Sequence, residues 1–159
     1  MLHKIIKTTL IPGTVEDVFQ FHTSLEIIFG LLPAHVKITK LHAPDHVKLG
    51  DKVRLFIRIH ALFFPWEAVI AEFQQNERFV DVLEHGPFSY WRHEHLFLPQ
   101  DDSSTLITDQ IEYKLKFSLF GELASHLFLE KELTNIFNMR HQKALEYFFE
   151  KRHRDADVF

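Results

Sequence analysis

Apolar and polar side chains alternate along most of the chain between residues 36 and 115. The segment from Lys52 to His60 is typical, because every second residue from Val53 to Ile59 is apolar. A period of two predicts β-strands with one buried face. Short polar segments such as residues 100–104 separate the runs, which predicts antiparallel hairpins. An earlier run, residues 2–10, predicts a first strand that ends at Pro12-Gly13.

Two other regions follow helical spacing. Thr14 is suited to cap a short helix, and Ser24 and Pro33 bracket a second one over residues 25–32. A long helix is predicted from near Gly121 to about residue 150, because no Pro or Gly interrupts the apolar period there. A single amphipathic helix must bury its apolar stripe against the sheet, so residues 1–159 are predicted to form one domain. The stripe comprises Leu129, Leu133, Ile136, Phe137, Arg140, Ala144 and Phe148.

Local motifs, in chain order, resemble the START-like or SRPBCC superfamily, and within it the bacterial ligand-binding, polyketide cyclase/dehydrase-like branch. They are Ile11-Pro12 with Val15–Phe19, Pro65–Ala68, Arg78–Asp81, Gly86–His95, Thr108–Tyr113 and Ile136–His141. The resemblance implies an α+β helix-grip fold, in which a curved seven-stranded antiparallel sheet wraps around a long C-terminal helix, with two short helices after the first strand. It also implies a cavity between sheet and helix for lipids, sterols, polyketides or other apolar molecules.

Composition narrows the function classes. The chain has 17 Phe, which indicates either a very aromatic core or an aromatic cavity wall. Its net charge of -4 argues against a nucleic-acid partner, which needs a basic surface. The absence of Cys excludes disulfides, thiolate nucleophiles and Cys-based zinc sites. No nucleotide-binding glycine loop is present, and the sequence predicts no cofactor.

The chain lacks both a signal-peptide pattern and an apolar run of about 18 residues, which predicts a cytoplasmic protein without an integral membrane segment. An apolar stretch around the start of the last helix has three readings: a cavity mouth, a lip that touches a membrane transiently, or packing that fixes the helix start. Its residues are Phe117, Leu119, Phe120, Leu123, Leu127 and Phe128.

The strand over residues 90–98 holds the candidate site. Alternation against Arg92 and Glu94 aims one face of this strand at the helix, and a similar face on the next strand includes Asp109, which could meet a histidine of its neighbour. The predicted ligand-binding residues are Trp91, His93, His95, Phe97, Asp109, Ile111, Tyr113 and Phe137.

The polar members, His93, His95 and Asp109, are expected to form the only strongly polar wall of the pocket. They could orient a ligand carbonyl or hydroxyl, act as a general acid–base pair, or satisfy each other as core polar groups. A metal held by the two histidines with Asp109 or His85 is the disfavoured alternative, and we expect no metal. The remaining histidines, including His3, His35, His42, His46 and His153, look like loop or terminal residues without matched partners.

Three functions stay open at this point. The first is binding or carrying a hydrophobic small molecule in the cavity. The second is a cyclase or dehydratase that acts on a bound ketone or alcohol. The third is a protein-interaction module whose core is filled. Catalysis is the less favoured expectation, because no nucleophile motif is present.

Overall fold

The computed structural model describes residues 1–116 and 122–156. Its elements follow the predicted order of one strand, two short helices, six strands and one long helix. They are β1 (His3–Ile11), α1 (Val15–Thr23), α2 (Leu25–Gly30), β2 (Val36–His42), β3 (Lys52–Ile59), β4 (Leu62–Gln74), β5 (Arg78–His85), β6 (Phe88–Asp101), β7 (Ser104–Leu115) and α3 (Glu122–Ala156).

The strands form one antiparallel sheet in the order β1-β7-β6-β5-β4-β3-β2. Strands β2 to β7 therefore pair with their neighbours in sequence, and only β1 crosses to the far side, where His3 lies opposite Tyr113 and Ile11 opposite Thr105. The sheet curves around α3, so the predicted helix-grip architecture is confirmed. This arrangement places the inner faces of β5, β6 and β7 against the long helix.

Helix α3 buries five of the seven residues of the predicted stripe, whereas Leu129 and Arg140 are only partly buried. Phe137, Ala144 and Phe148 are at most 4% exposed, and Leu133 and Ile136 are at most 9% exposed. The helix ends at Ala156, six residues beyond the expected end. The basic residues of the last turns interact favourably with the negative C-terminal end of the helix dipole, which explains why the charged segment stays helical.

Proline often ends a strand, but Pro65 lies inside β4, opposite Phe56 of β3. The pairing of β4 with β5 begins only at Glu67, so the other side of Pro65 has no strand to which an N–H would donate. Proline is tolerated in a strand at such an edge position. The chain reverses instead at His60, whose φ of 53° is in the left-handed region.

An aromatic cluster closes one end of the sheet beneath α1. The hydroxyl of Thr14 caps α1 by accepting a hydrogen bond from the Asp17 backbone N–H at 3.2 Å. The ring of Phe19 then packs edge-on against Phe97, with ring centroids 5.0 Å apart, and against Phe79 at 6.0 Å. Part of the phenylalanine excess therefore belongs to the core.

The apolar stretch before α3 falls largely outside the described residues. Phe117, Leu119 and Phe120 lie in the segment that is not described, as does the side chain of Leu123. Leu127 and Phe128 are described and are 62% and 38% exposed. Among the helices of the described ranges, none combines the length and apolarity needed to cross a bilayer.

Candidate functional site

A cavity of about 210 Å³ lies between the inner face of the sheet and α3. Small-molecule sites usually enclose about 300–1,000 Å³, whereas an apolar cavity of about 150 Å³ already binds benzene. The volume therefore suits a molecule of about one or two rings. Most of the wall is aliphatic or aromatic, including Ile28, Phe29, Leu55, Ile57, Trp66, Ile70, Phe88 and Ile136.

Strands β5 and β6 place polar groups into this apolar wall. Phe79 and Asp81 of β5 share the inner face by alternation, and they pair across the ladder with His95 and His93 of β6. Trp91, His93 and His95 are at most 5% exposed. The predicted inward orientation of this face is confirmed.

Asp81 bridges the two histidines of β6 from the cavity side. Its Oδ2 atom lies 3.3 Å from Nδ1 of His93 and 3.3 Å from Nε2 of His95. Its other oxygen, Oδ1, accepts a hydrogen bond from Nε1 of Trp91 at 3.0 Å. The Trp91 hydrogen bond fixes the orientation of the Asp81 carboxylate. Because the register of β5 and β6 places Asp81 opposite His93, the sheet determines the geometry of Asp81, His93 and His95.

Asp109 of β7 contacts the opposite ring nitrogens of the same two histidines. Its Oδ1 lies 3.0 Å from Nε2 of His93 and 2.8 Å from Nδ1 of His95, although the second contact is out of line for a hydrogen bond. Its Oδ2 accepts a hydrogen bond from Nε2 of His141 on α3 at 2.9 Å. The Thr9 hydroxyl lies 2.8 Å from Nδ1 of His141. A polar chain therefore joins α3 to β7 and β1.

The charges of this cluster depend on one another. Burial alone would raise the pKa of Asp109, but His95 and His93 with the His141 hydrogen bond hold it well below the ordinary value. Burial alone would lower the pKa of His93, but Asp109 and Asp81 raise it. An ionised carboxylate only accepts hydrogen bonds, so both ring nitrogens of His93, each within 3.3 Å of a carboxylate oxygen, are donors.

Two further polar residues face the cavity, His22 from α1 and Arg140 from α3. Burial lowers the pKa of His22 to about 3, so its ring is neutral. Its Nδ1 donates to the Val18 carbonyl at 2.8 Å, which leaves Nε2 as an acceptor. The Arg140 guanidinium lies 5.0 Å from the ring centroid of Phe137, and its buried Nε atom has no hydrogen bond within the described part of the chain.

A second polar cluster joins α3 to the β3–β4 turn. Glu132 is 7% exposed and lines the cavity. Its Oε2 accepts a hydrogen bond from Nε2 of His35 at 2.9 Å, and its Oε1 lies 3.7 Å from Nε2 of His60. The two imidazoles stack at 4.6 Å. His35, which sequence reasoning left without a partner, is thus paired with a residue 97 positions away.

The predicted site residues divide into two groups. Four of them lie in the cavity wall: Trp91, His93, His95 and Phe137. The others are buried in packing around the cavity: Phe97, Asp109, Ile111 and Tyr113. The expectation that His93, His95 and Asp109 are the only strongly polar wall is wrong, because Asp109 lies behind the histidines and four further polar residues reach the wall: His22, Asp81, Glu132 and Arg140.

Sequence reasoning missed Asp81, His22 and His141 as members of the site. The alternation of Phe79, Asp81 and Leu83 on β5 was the available signal for Asp81. The spacing of Phe137, His141 and Ala144 was the signal for His141. Burial raises the pKa of Tyr113 to about 12, and its hydroxyl makes no hydrogen bond to any of the described residues.

Comparison with known proteins gives matches in fold but none to a family profile or a curated sequence. Solved structures match over almost the whole length. An aromatase/cyclase, ZhuI from Streptomyces sp. R1128, is 12% identical with a TM-score of 0.77, and the match covers 98% of each chain. A START superfamily protein from Mycobacterium smegmatis is 17% identical with a TM-score of 0.67, covering 91% of this chain and 98% of that one.

The chain has the START-like fold. A third match is a norcoclaurine synthase point mutant from Thalictrum flavum, 14% identical with a TM-score of 0.64, which covers 92% of this chain and 96% of that one. That structure is a complex with a transition state analogue. At these identities the likeness establishes the START-like architecture, and the function must be argued from the site itself.

Proposed function

We propose that this START-like chain binds one small, mainly apolar molecule that carries an anionic group, in the cavity between the sheet and α3. One observation carries the proposal: an apolar cavity of about 210 Å³ whose wall contains Arg140, a cation without a carboxylate partner among the described residues. A filled core would leave no such space, so the cavity supports ligand binding over the protein-interaction alternative.

Arg140 supplies the argument for an anionic group. Among the described residues, no carboxylate lies within ion-pair distance of its guanidinium. The nearby carboxylates of Asp81 and Asp109 form ion pairs with histidines instead. Arginine stays charged at all relevant pH values and presents a planar fork that matches a carboxylate. The Arg140 side chain is only partly buried, but its buried Nε atom has no acceptor among the described residues, and a ligand carboxylate would provide one.

The other residues of the cavity wall indicate the shape and the hydrogen-bonding groups of the ligand. Phe137 lies beside Arg140, and Trp66 and Trp91 meet edge to face with ring centroids 5.0 Å apart. Flat aromatic walls favour a flat ligand. The acceptor nitrogen of neutral His22 provides a place for one hydroxyl or N–H of the ligand. We therefore favour an aromatic or cyclic acid over a long lipid chain.

Tryptophan fluorescence tests this proposal directly, because the chain has 2 Trp and both line the cavity. The probes are 4-ethylbenzoate and its uncharged analogue 4-ethylbenzyl alcohol, which differ only in the head group. We expect both to perturb the emission, and the acid to bind more tightly. The matched variant is Arg140→Met, which keeps the apolar stem and removes the charge.

A charge-assisted hydrogen bond contributes about 1.5–3 kcal/mol, which corresponds to about 10–100-fold in affinity. Arg140→Met should therefore weaken binding of the acid by that factor and leave binding of the alcohol unchanged. Equal affinities of the two probes in the wild-type protein would contradict the anionic-group proposal. Failure of both probes to perturb Trp66 and Trp91 would contradict binding in this cavity.

Catalysis is the alternative that the geometry supports less. Two structural neighbours are named as an aromatase/cyclase and a norcoclaurine synthase. In this chain, however, both ring nitrogens of His93 face carboxylates within 3.3 Å. Neither nitrogen is directed at the cavity as a free acid or base, so His93 lacks the access that proton transfer to a ligand requires.

A further inference from the structure

We propose that Asp81, His93 and His95 bind a divalent transition-metal ion of the Zn²⁺ type, with an open coordination position toward the cavity. The sequence favoured no metal and considered Asp109 or His85 as a third ligand. The structure offers Asp81 in that place, one carboxylate oxygen and two imidazole nitrogens that all lie within 4.8 Å of one another.

The distances suit a common ion. Zn²⁺ binds imidazole nitrogen and carboxylate oxygen at about 2.0–2.2 Å, so adjacent ligand atoms of a tetrahedral site are about 3.3 Å apart. Asp81 Oδ2 lies 3.3 Å from Nδ1 of His93 and 3.3 Å from Nε2 of His95. An ion would therefore enter between these atoms without a change in the sheet register. Two imidazoles and a carboxylate are a ligand set used by catalytic zinc sites.

The groups behind the ligands strengthen the inference. Histidine ligands generally donate their second N–H to a carboxylate or carbonyl, which fixes the ring orientation and raises the basicity of the metal-bound nitrogen. Asp109 lies 3.0 Å from Nε2 of His93 and 2.8 Å from Nδ1 of His95, on the far side from Asp81. Trp91 Nε1 donates to the second oxygen of Asp81. Hydrogen bonds thus orient His93 and Asp81 from behind, whereas His95 has an ion-pair contact with Asp109 that is out of line for a hydrogen bond.

The charge of the cluster and its position in the cavity wall also support a metal site. The ligands bind a metal as an ionised carboxylate and two neutral imidazoles, so Asp81 and Asp109 together carry two negative charges, which one divalent ion would cancel. The three ligands all line the cavity, whereas Asp109 does not. The fourth position therefore faces the cavity, where an oxygen of a bound molecule or a water would complete the coordination.

The cluster of His35, His60 and Glu132 contains the same residue types and provides an internal control. Its ligand atoms are less evenly spaced, at 2.9 and 3.7 Å. His60 is about half exposed, and among the described residues no second carboxylate contacts either imidazole. If residue type alone determined metal binding, the ion would bind at either cluster. If binding also requires carboxylates that contact the histidine ligands from behind, the ion would bind only at the cluster of Asp81, His93 and His95.

The test uses the full chain, stripped of metal with a chelator, and Co²⁺, whose visible absorption reports coordination by nitrogen and oxygen ligands. Affinity is measured by competition with a chromophoric chelator. We expect one Co²⁺ per chain in the wild-type protein and in His60→Ala. In Asp81→Asn the affinity should fall by at least about tenfold, and Asp109→Asn, which changes only a positioning residue, should lose about 10–100-fold.

His95→Asn serves as a second ligand variant if Asp81→Asn does not fold, and it should also lose at least about tenfold in affinity. Absence of stoichiometric Co²⁺ binding in the wild-type chain would overturn the proposal. So would binding that His60→Ala abolishes while Asp81→Asn retains it. No aromatic probe is present in this experiment, so its result is separate from that of the proposed ligand-binding function.

Discussion

The two faces of strands β5 and β6 carry charged clusters of similar size in opposite surroundings. On the outer face, Arg78 and Arg92 each contact both Glu72 and Glu94. On the inner face, His93 and His95 each contact both Asp81 and Asp109. The outer side chains are 13–39% exposed, whereas His93, His95 and Asp109 are 5% exposed and Asp81, which lines the cavity, is 17% exposed.

The main difference between these clusters is their exposure to solvent, because β5 and β6 contribute to both, with Glu72 of β4 completing the outer cluster and Asp109 of β7 the inner one. Water and salt screen the outer charges, so each outer pair contributes little to stability. The inner charges have lost their hydration, and each depends on its partner for compensation. We therefore expect the inner cluster to contribute strongly to the free energy of unfolding and to binding in the cavity. We expect the outer cluster to maintain solubility and to contribute little to the free energy of unfolding.

The largest expected effect is the loss of Asp109. Asp109→Ala removes the carboxylate that contacts His93, His95 and His141, and leaves three buried imidazoles without their common partner. Breaking a buried ionic network of this kind costs about 3–5 kcal/mol. Urea unfolding should show this loss in the midpoint at an unchanged slope. A cost below about 1 kcal/mol, typical of exposed ion pairs, would remove the distinction between the two faces.

The next effect is a pH dependence that comes from His22. Its pKa falls from 6.5 in the unfolded chain to about 3 in the buried site. Below pH 6.5 His22 binds a proton in the unfolded state but stays neutral in the native state. The free energy of unfolding therefore decreases as pH falls from 6.5 toward 3. The loss approaches about 1.4 kcal/mol per pH unit for a fully desolvated group.

His22→Gln is the control for this pH dependence, since its side chain does not titrate. The difference in unfolding free energy between wild type and variant isolates His22 from the ionisable groups around it, which are Asp109, Arg140 and His95. We expect that difference to be flat above pH 7 and to change steadily below pH 6. A difference that stays flat to pH 4 would contradict a neutral His22.

A smaller effect is expected at Thr9, where the polar chain from the cluster reaches β1. Thr9→Val keeps the shape of the side chain and removes the hydroxyl that lies 2.8 Å from Nδ1 of His141. One unsatisfied buried nitrogen costs about 1–3 kcal/mol. Thermal unfolding should report the loss, and Thr8→Val at the exposed neighbouring pair with Thr108 is the matched control with little expected change.

The smallest effect is expected on the outer face. Glu72→Gln removes the charge shared by Arg78 and Arg92 on the solvent side. Exposed ion pairs contribute about 0.2–1 kcal/mol, and added salt weakens them further. The variant should differ from wild type only at low ionic strength, as measured by urea unfolding in dilute and in concentrated salt. A salt-independent loss above about 2 kcal/mol would show that the outer face is not solvated.

Much of the architecture was predictable from local pattern. The alternation around His93 and Asp109 correctly gave their burial, because a one-residue shift would have placed Arg92 and Glu94 in the core. The membership of the site was less predictable. Asp81 and His93 face each other only because the register between β5 and β6 makes them partners, and nothing within either strand encodes that register.

Sequence by itself therefore determined the order of elements, the inward face of each central strand and the stripe of α3, since these follow from periods of two and 3.6 residues. Only the tertiary structure decided that Asp109 lies behind the histidines, that Asp81 lies in front of them, and that Arg140 and Glu132 reach the cavity wall. The physical reason is that pairing across a curved sheet joins residues from distant segments at distances of about 3 Å, whereas periodicity specifies only the face on which each residue lies.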